Sequence, residues 1–114
     1  MDCLIEVNIG REENKSGVMP EAVLPLLEEV RALENVRVCG LMTIAPFVRD
    51  ADEQYRYFCE TKALYDEMVP RLAPDVIPVL SMGMSDSMAA AIRAGSHMVR
   101  IGTAIFGRRD NHTV

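Results

Sequence analysis

The chain has 114 residues, 49% hydrophobic and 25% charged, with a formal net charge of −5. That length bounds the fold to one small domain with a modest core, the apolar content excludes a disordered chain, and an acidic balance without a Lys/Arg block excludes general nucleic-acid binding. No apolar run reaches membrane-spanning length, the opening Met1-Asp2-Cys3-Leu4-Ile5 lacks the features of a secretory signal, and Cys3, Cys39 and Cys59 are too scattered for a disulfide framework or a zinc site, which points to reduced thiols in the cytoplasm.

In chain order, Cys3 to Gly10 alternates and turns β-branched, which predicts a strand. Arg11 to Gly17 is a polar loop. Pro20 to Leu33 carries Val23, Leu27, Val30 and Leu33 at helical spacing, and Pro25 inside that pattern moves the expected start of the regular helix toward itself. Val36 to Ile44 is a second strand, apolar on both faces late in its course, as in a covered parallel sheet. Asp50 is placed to cap the next helix, with Glu53 at capping-box spacing. That helix runs to about Leu72, with Tyr55, Phe58, Tyr65 and Met68 on one face. Val76 to Met82 is a third strand with Pro78 near its start. Ser85 or Asp86 is placed to cap a short helix from Ser87 to Ala94, stopped by Gly95. His97 to Gly102 is a fourth strand, Thr103 to Gly107 a loop or single turn, and residues 108–114 a frayed tail.

This β-α-β-α-β-α-β order with short connections predicts an α/β fold with a parallel sheet and right-handed crossovers. Four strands cannot close a filled barrel, which takes about eight. Two architectures therefore stay open: a small open sheet, or half of a (β/α)8 barrel.

In both, chemistry gathers where strands exit at their C-terminal ends. The third exit, Ser81-Met82-Gly83-Met84-Ser85-Asp86, offers a hydroxyl at the start of a helix, where free N–H groups favour an anion. The fourth, Arg100-Ile101-Gly102-Thr103, adds two N–H donors and a second hydroxyl. Together these exits form a candidate phosphate cradle. Arg100 needs a partner in its apolar strand, and spacing alone leaves open a salt bridge or a ligand contact. A Ser–His hydrolase is not expected, because His97 begins a strand and His112 lies in the tail. Gly10 to Gly17 lacks the Gly-Lys-Ser/Thr order of a P-loop, and the eight methionines are dispersed as core filler.

Val7-Asn8-Ile9 with Lys15-Ser16-Gly17, then Gly40-Leu41-Met42, Leu80-Ser81-Met82-Gly83-Met84-Ser85-Asp86 and Val99-Arg100-Ile101-Gly102-Thr103-Ala104-Ile105-Phe106-Gly107 resemble the pyridoxal-phosphate (PLP) homeostasis proteins. The match runs in order along essentially the whole chain. The resemblance implies a barrel like the N-terminal domain of alanine racemase, with residues 1–107 as strands five to eight, its C-terminal half. It implies that Ser85, Gly102 and Thr103 hold the PLP phosphate, that Arg100 faces the pyridine nitrogen, that Ser81 and Met82 lie close by, and that Asn8 and Met42 line the mouth. An arginine there suits a carrier of vitamin B6 rather than an enzyme, because it leaves the ring a poorer electron sink.

The resemblance implies that the family's Schiff-base lysine belongs to strands expected ahead of this sequence, with Met1 falling where the fifth strand would begin. Lys15 and Lys62 match no such position, so PLP or phosphate is expected to bind without a covalent link. Open sheet edges near Val7 and Val99 predict a homo-oligomer. The competing reading is a fragment of a racemase-like or other phosphate-substrate barrel enzyme, which lacks a Tyr or His base at any strand exit.

Overall fold

The computed structural model of the chain describes residues 2–46, 48–84 and 87–100, residues 99 and 100 by backbone alone. Four strands, β1 (Asp2–Val7), β2 (Arg37–Thr43), β3 (Val79–Met84) and β4 (Met98–Arg100), pair side by side in sequence order, all parallel. A helix lies in each crossover: α1 (Val23–Arg31), α2 (Ala51–Met68) and α3 (Met88–Ala94). The parallel α/β architecture is as expected from the rhythm of the sequence.

Alternation along each strand divides the sheet into two faces. Ile5, Val7, Val38, Leu41, Leu80 and Met82 join Val23 and Leu27 of α1, Phe58, Tyr65 and Met68 of α2, and Ala91 and Ala94 of α3 in one core. Burying a side chain the size of Leu27 or Phe58 contributes about 1.5–3 kcal/mol. The opposite face carries Leu4, Glu6, Met42, Val79, Ser81 and Met98, and among the described residues no helix packs on it.

Local chemistry sets the boundaries. A 3-10 turn, Pro20–Ala22, precedes α1, and Pro25 falls in the first helical turn, where a missing N–H costs little. Asp50 caps α2, its carboxylate accepting from the Asp52 N–H at 2.9 Å. A second 3-10 turn, Val69–Arg71, ends that helical stretch near Leu72 as expected. The residue at the start of α3 is Ser87; the expected caps Ser85 and Asp86 lie outside the described residues. Gly95 ends α3 with φ +109, its N–H reaching Ile92 and the Ser96 N–H reaching Ala91, the paired bonds of a Schellman stop. β3 starts after Pro78 and reaches Met84, two residues further than the sequence pattern predicts.

Two irregularities shape the sheet. In β2 the register slips between Cys3↔Val38 and Leu4↔Gly40, and Gly40 packs so closely that a Cβ there would run into the Val79 carbonyl. In β3, three steps from Ser81 to Met84 match two steps from Met98 to Arg100. Gly83, at φ +99, absorbs the extra residue.

The edge at Val7 differs from the expectation of an open strand. Val18 returns alongside it, donating its N–H to the Glu6 carbonyl at 2.9 Å and accepting from the Asn8 N–H at 2.7 Å. Gly17, at φ +97, makes that return possible. Residues 101–114, including the expected tail, lie outside the described residues.

Candidate functional site

The strand exits form the candidate site, approached from the face on which, among the described residues, no helix packs. Ladder partners share a face, so Glu6, Met42, Ser81 and Met98 form one row across all four strands. Ser81 is only 3% exposed in the middle of that row. The last described pair, Met84↔Arg100, brings the third and fourth exits side by side.

Met82 is not brought to this face. It is fully buried in the core shared with the helices, because it alternates with Ser81 and follows the parity of Leu80. Ser85, Gly102 and Thr103 lie outside the described residues, and Arg100 is described by backbone alone.

The first two exits are closed by their own hydrogen bonds. Asn8 is buried, and its amide both donates to the Glu12 carbonyl and accepts from the Glu12 N–H at 3.1 Å. It therefore pins its own loop. Ser16 Oγ donates to the Glu6 carboxylate at 2.8 Å, anchoring the same loop to the open face. Thr43, fully buried, donates to the Val7 carbonyl at 2.7 Å and ties β2 to β1. Lys15 is exposed in the loop, and Lys62 sits on α2 with its ammonium 2.6 Å from Asp66.

Sequence reasoning missed two groups. Ser96 and His97, in the connection from α3 to β4, place side chains on the β3 backbone; a Ser-His pair directly after a helix-stopping glycine was the available signal. At the opposite end of the strands, Arg37 forks onto Asp2 at 3.0 and 3.2 Å and reaches Asp75 at 2.6 Å. The hydrogen bond from Arg37 holds the Asp2 carboxyl below its ordinary value, and Asp2 raises Arg37 in turn. This cluster borders a cleft of about 390 Å³ lined by Leu4, Cys39, Ile77, Val79 and Met98. Burial pushes the Cys3 thiol up, which suits a packed thiol rather than a nucleophile. Among the described residues no cluster of His, Cys, Asp and Glu could hold a metal ion, and no helix is long and apolar enough to cross a membrane.

A four-stranded parallel sheet with a helix in each crossover defines the class: a βα-repeat domain. The chain belongs to the family of the alanine racemase N-terminal domain, whose model matches residues 1–110. It is 42% identical over 110 residues to the pyridoxal phosphate homeostasis protein of Pasteurella multocida, covering 96% of this chain and 47% of that one. It is 46% identical over 108 residues to that of Aquifex aeolicus, covering 95% and 47%. The chain thus spans about half the length of the curated relatives it matches. PipY of Synechococcus elongatus superposes with a TM-score of 0.81 at 31% identity without PLP and 0.75 at 28% with PLP bound, each over 93% of this chain and 49% of PipY. Because the matching family model is that of an N-terminal domain, the expectation that these strands are numbers five to eight, a C-terminal half, is corrected. What stands is a parallel α/β part of that N-terminal domain.

Proposed function

We propose that the chain is part of a PLP-binding domain of a vitamin B6 homeostasis protein and supplies the strand ends that hold the cofactor's phosphate. The observation that carries this reading is the side-by-side exit of β3 and β4 at Met84↔Arg100. Ser85 follows the first strand by one residue, and Gly102-Thr103 follow the second by two and three. Their hydroxyls and N–H groups are the donors for phosphate in this reading, with Gly83 allowing close backbone approach and Ser81 on the open face of β3. Arg100 is assigned to the pyridine nitrogen, where a permanently protonated guanidinium disfavours ring protonation. PLP supplies an electron-accepting ring when bound, and this arrangement weakens that property, which favours a non-catalytic carrier over a racemase. The relatives' name and the PLP-bound PipY structure support the choice of ligand.

Binding by this chain is non-covalent in this reading, since the two lysines sit on an exposed loop and on α2. The protein acts in the cytoplasm. Two copies associate through the edge of β4 and the part of β1 that Val18 leaves uncovered.

Titration with PLP, followed by absorbance and borohydride trapping, tests the site. Ser85→Ala and Thr103→Ala are each expected to weaken binding. Unchanged affinity in both would refute the cradle, and stoichiometric trapping on a lysine would refute the non-covalent mode. Amino-acid racemisation lost on Arg100→Ala would favour the enzyme reading. A folded, dilute monomer in sedimentation would refute association.

A further inference from the structure

The connection from α3 into β4 does something that the phosphate reading has not used. In a regular parallel ladder the Leu80 N–H would meet a backbone carbonyl just before β4. Gly95, at φ +109, turns the chain out of α3 at that point. The Leu80 N–H donates instead to Nδ1 of His97 at 3.1 Å, while the His97 N–H donates to the Leu80 carbonyl at 2.9 Å. The imidazole therefore stands in for a missing ladder carbonyl.

Neighbouring groups hold it there. The His97 ring meets Tyr65 of α2 edge-on, with centroids 5.5 Å apart and planes at 74°. Ser96 Oγ accepts from the Met82 N–H at 3.4 Å. It also lies 2.8–3.3 Å from the carbonyls of Leu80, Met82 and Met98, with one proton to donate among them. These contacts fasten β4, a three-residue strand, below the Met84↔Arg100 pair from which the phosphate cradle departs.

We propose that His97 is a positioning residue for the phosphate site: its neutral imidazole holds β4 in register on β3, and protonation releases that hold, so ligand binding weakens in mild acid. The proposal rests on the phosphate-binding reading above. Its chemistry is direct. Neutral imidazole has one acceptor nitrogen, and imidazolium has none, so a protonated ring would turn a second N–H against that of Leu80.

The surrounding charges do not replace the lost acceptor. β3 contributes no titratable side chain. On α3 the one charged residue is Arg93, over the Tyr55 ring at 4.2 Å. On α2, Tyr65 faces the imidazole, and Lys62 lies 5.8 Å from the Tyr65 centroid, bonded to Asp66. Arg100 is the next charged residue on β4 itself.

Two substitutions separate the acceptor from the ring. His97→Asn keeps an acceptor oxygen near the place of Nδ1 and does not titrate. His97→Phe keeps a ring against Tyr65 and has no acceptor. Affinity for PLP, and separately for inorganic phosphate, is measured from about pH 8 to about pH 5.5. Phosphate ionisation affects all three proteins alike, so the ratio between native and Asn forms isolates His97. That ratio is expected to be near one at the alkaline end and to fall roughly three- to tenfold at the acid end. The Phe form should bind more weakly at both. Amide exchange at Leu80, read by NMR, should be faster in the native chain than in the Asn form at acid pH. Parallel native and Asn curves, or native-like binding by the Phe form at alkaline pH, would overturn the proposal. If no form binds either ligand at any pH, the phosphate reading fails. Equal Leu80 exchange in native and Asn forms at acid pH would then overturn the His97 hold as well.

Discussion

Replacing Gly40 with alanine should damage the fold far more than the same change at Gly95, although Gly95 is the one with the left-handed backbone. At Gly40 the new Cβ would run into the Val79 carbonyl oxygen, 2.8 Å from its carbon and 3.0 Å from the Val79 nitrogen. That obstacle is the backbone of the adjacent strand in an inner position of the sheet. It yields only if β2 and β3 part, which breaks the ladder from Gly40↔Val79 to Thr43↔Met82. The expected cost is about 3 kcal/mol or more, the upper end for overpacking and a large share of the stability of a small domain. At Gly95 the Cβ would meet Lys62 Cε at 2.8 Å and Cδ at 3.2 Å. Those atoms end a flexible side chain and can swing aside, so the cost reduces to the left-handed φ, about 1–2 kcal/mol. Urea unfolding followed by circular dichroism measures both. With a slope of about 1–3 kcal/mol per molar, the two midpoints should differ by roughly 1 M. Equal midpoints, or a Gly40→Ala chain as stable as the native one, would refute the argument from backbone contact.

Three further outcomes follow from named contacts. Asp50→Ala removes the cap on α2 and should lower stability by about 1 kcal/mol, with Asp50→Ser retaining most of it in the same unfolding assay. Ser96→Ala deprives the Met82 N–H of its side-chain acceptor, and a loss of about 1–3 kcal/mol with faster amide exchange at Met82 is expected. Arg37→Gln should lower the melting temperature near neutral pH and matter less in acid. The reason is the sign of the Asp2 shift: Arg37 holds that carboxyl below its ordinary 3.8, so its contribution is full above that value and fades as pH falls through the folded one. Melting curves at pH 7 and about pH 3 test this, and a gap that stays constant or widens in acid would count against it.

Much of the fold was legible because it is local. Pro20 and Pro25 mark the entry to α1, Asp50 marks that of α2, and Gly95 marks the end of α3; each acts through the backbone groups of its own turn. The strand ends were harder. β3 runs to Met84 because a bulge at Gly83 extends its pairing with β4, and a bulge depends on the partner strand. The face that Met82 takes was out of reach for the same kind of reason: adjacency to Ser81 in a motif says nothing of face, and the helices bury the Met82 side chain on the other side.

By itself the sequence determined the order of elements, the parallel α/β class and the family, since periodicity, caps and motif spacing are properties of neighbouring residues. The tertiary structure alone decided which strand backbones approach closely enough to exclude a Cβ at Gly40 and how Val18 covers the edge of β1. It also decided that the His97 imidazole completes the ladder between β3 and β4. Each of these joins groups far apart in the chain through distances of about 3 Å, a relation that periodicity and spacing do not encode.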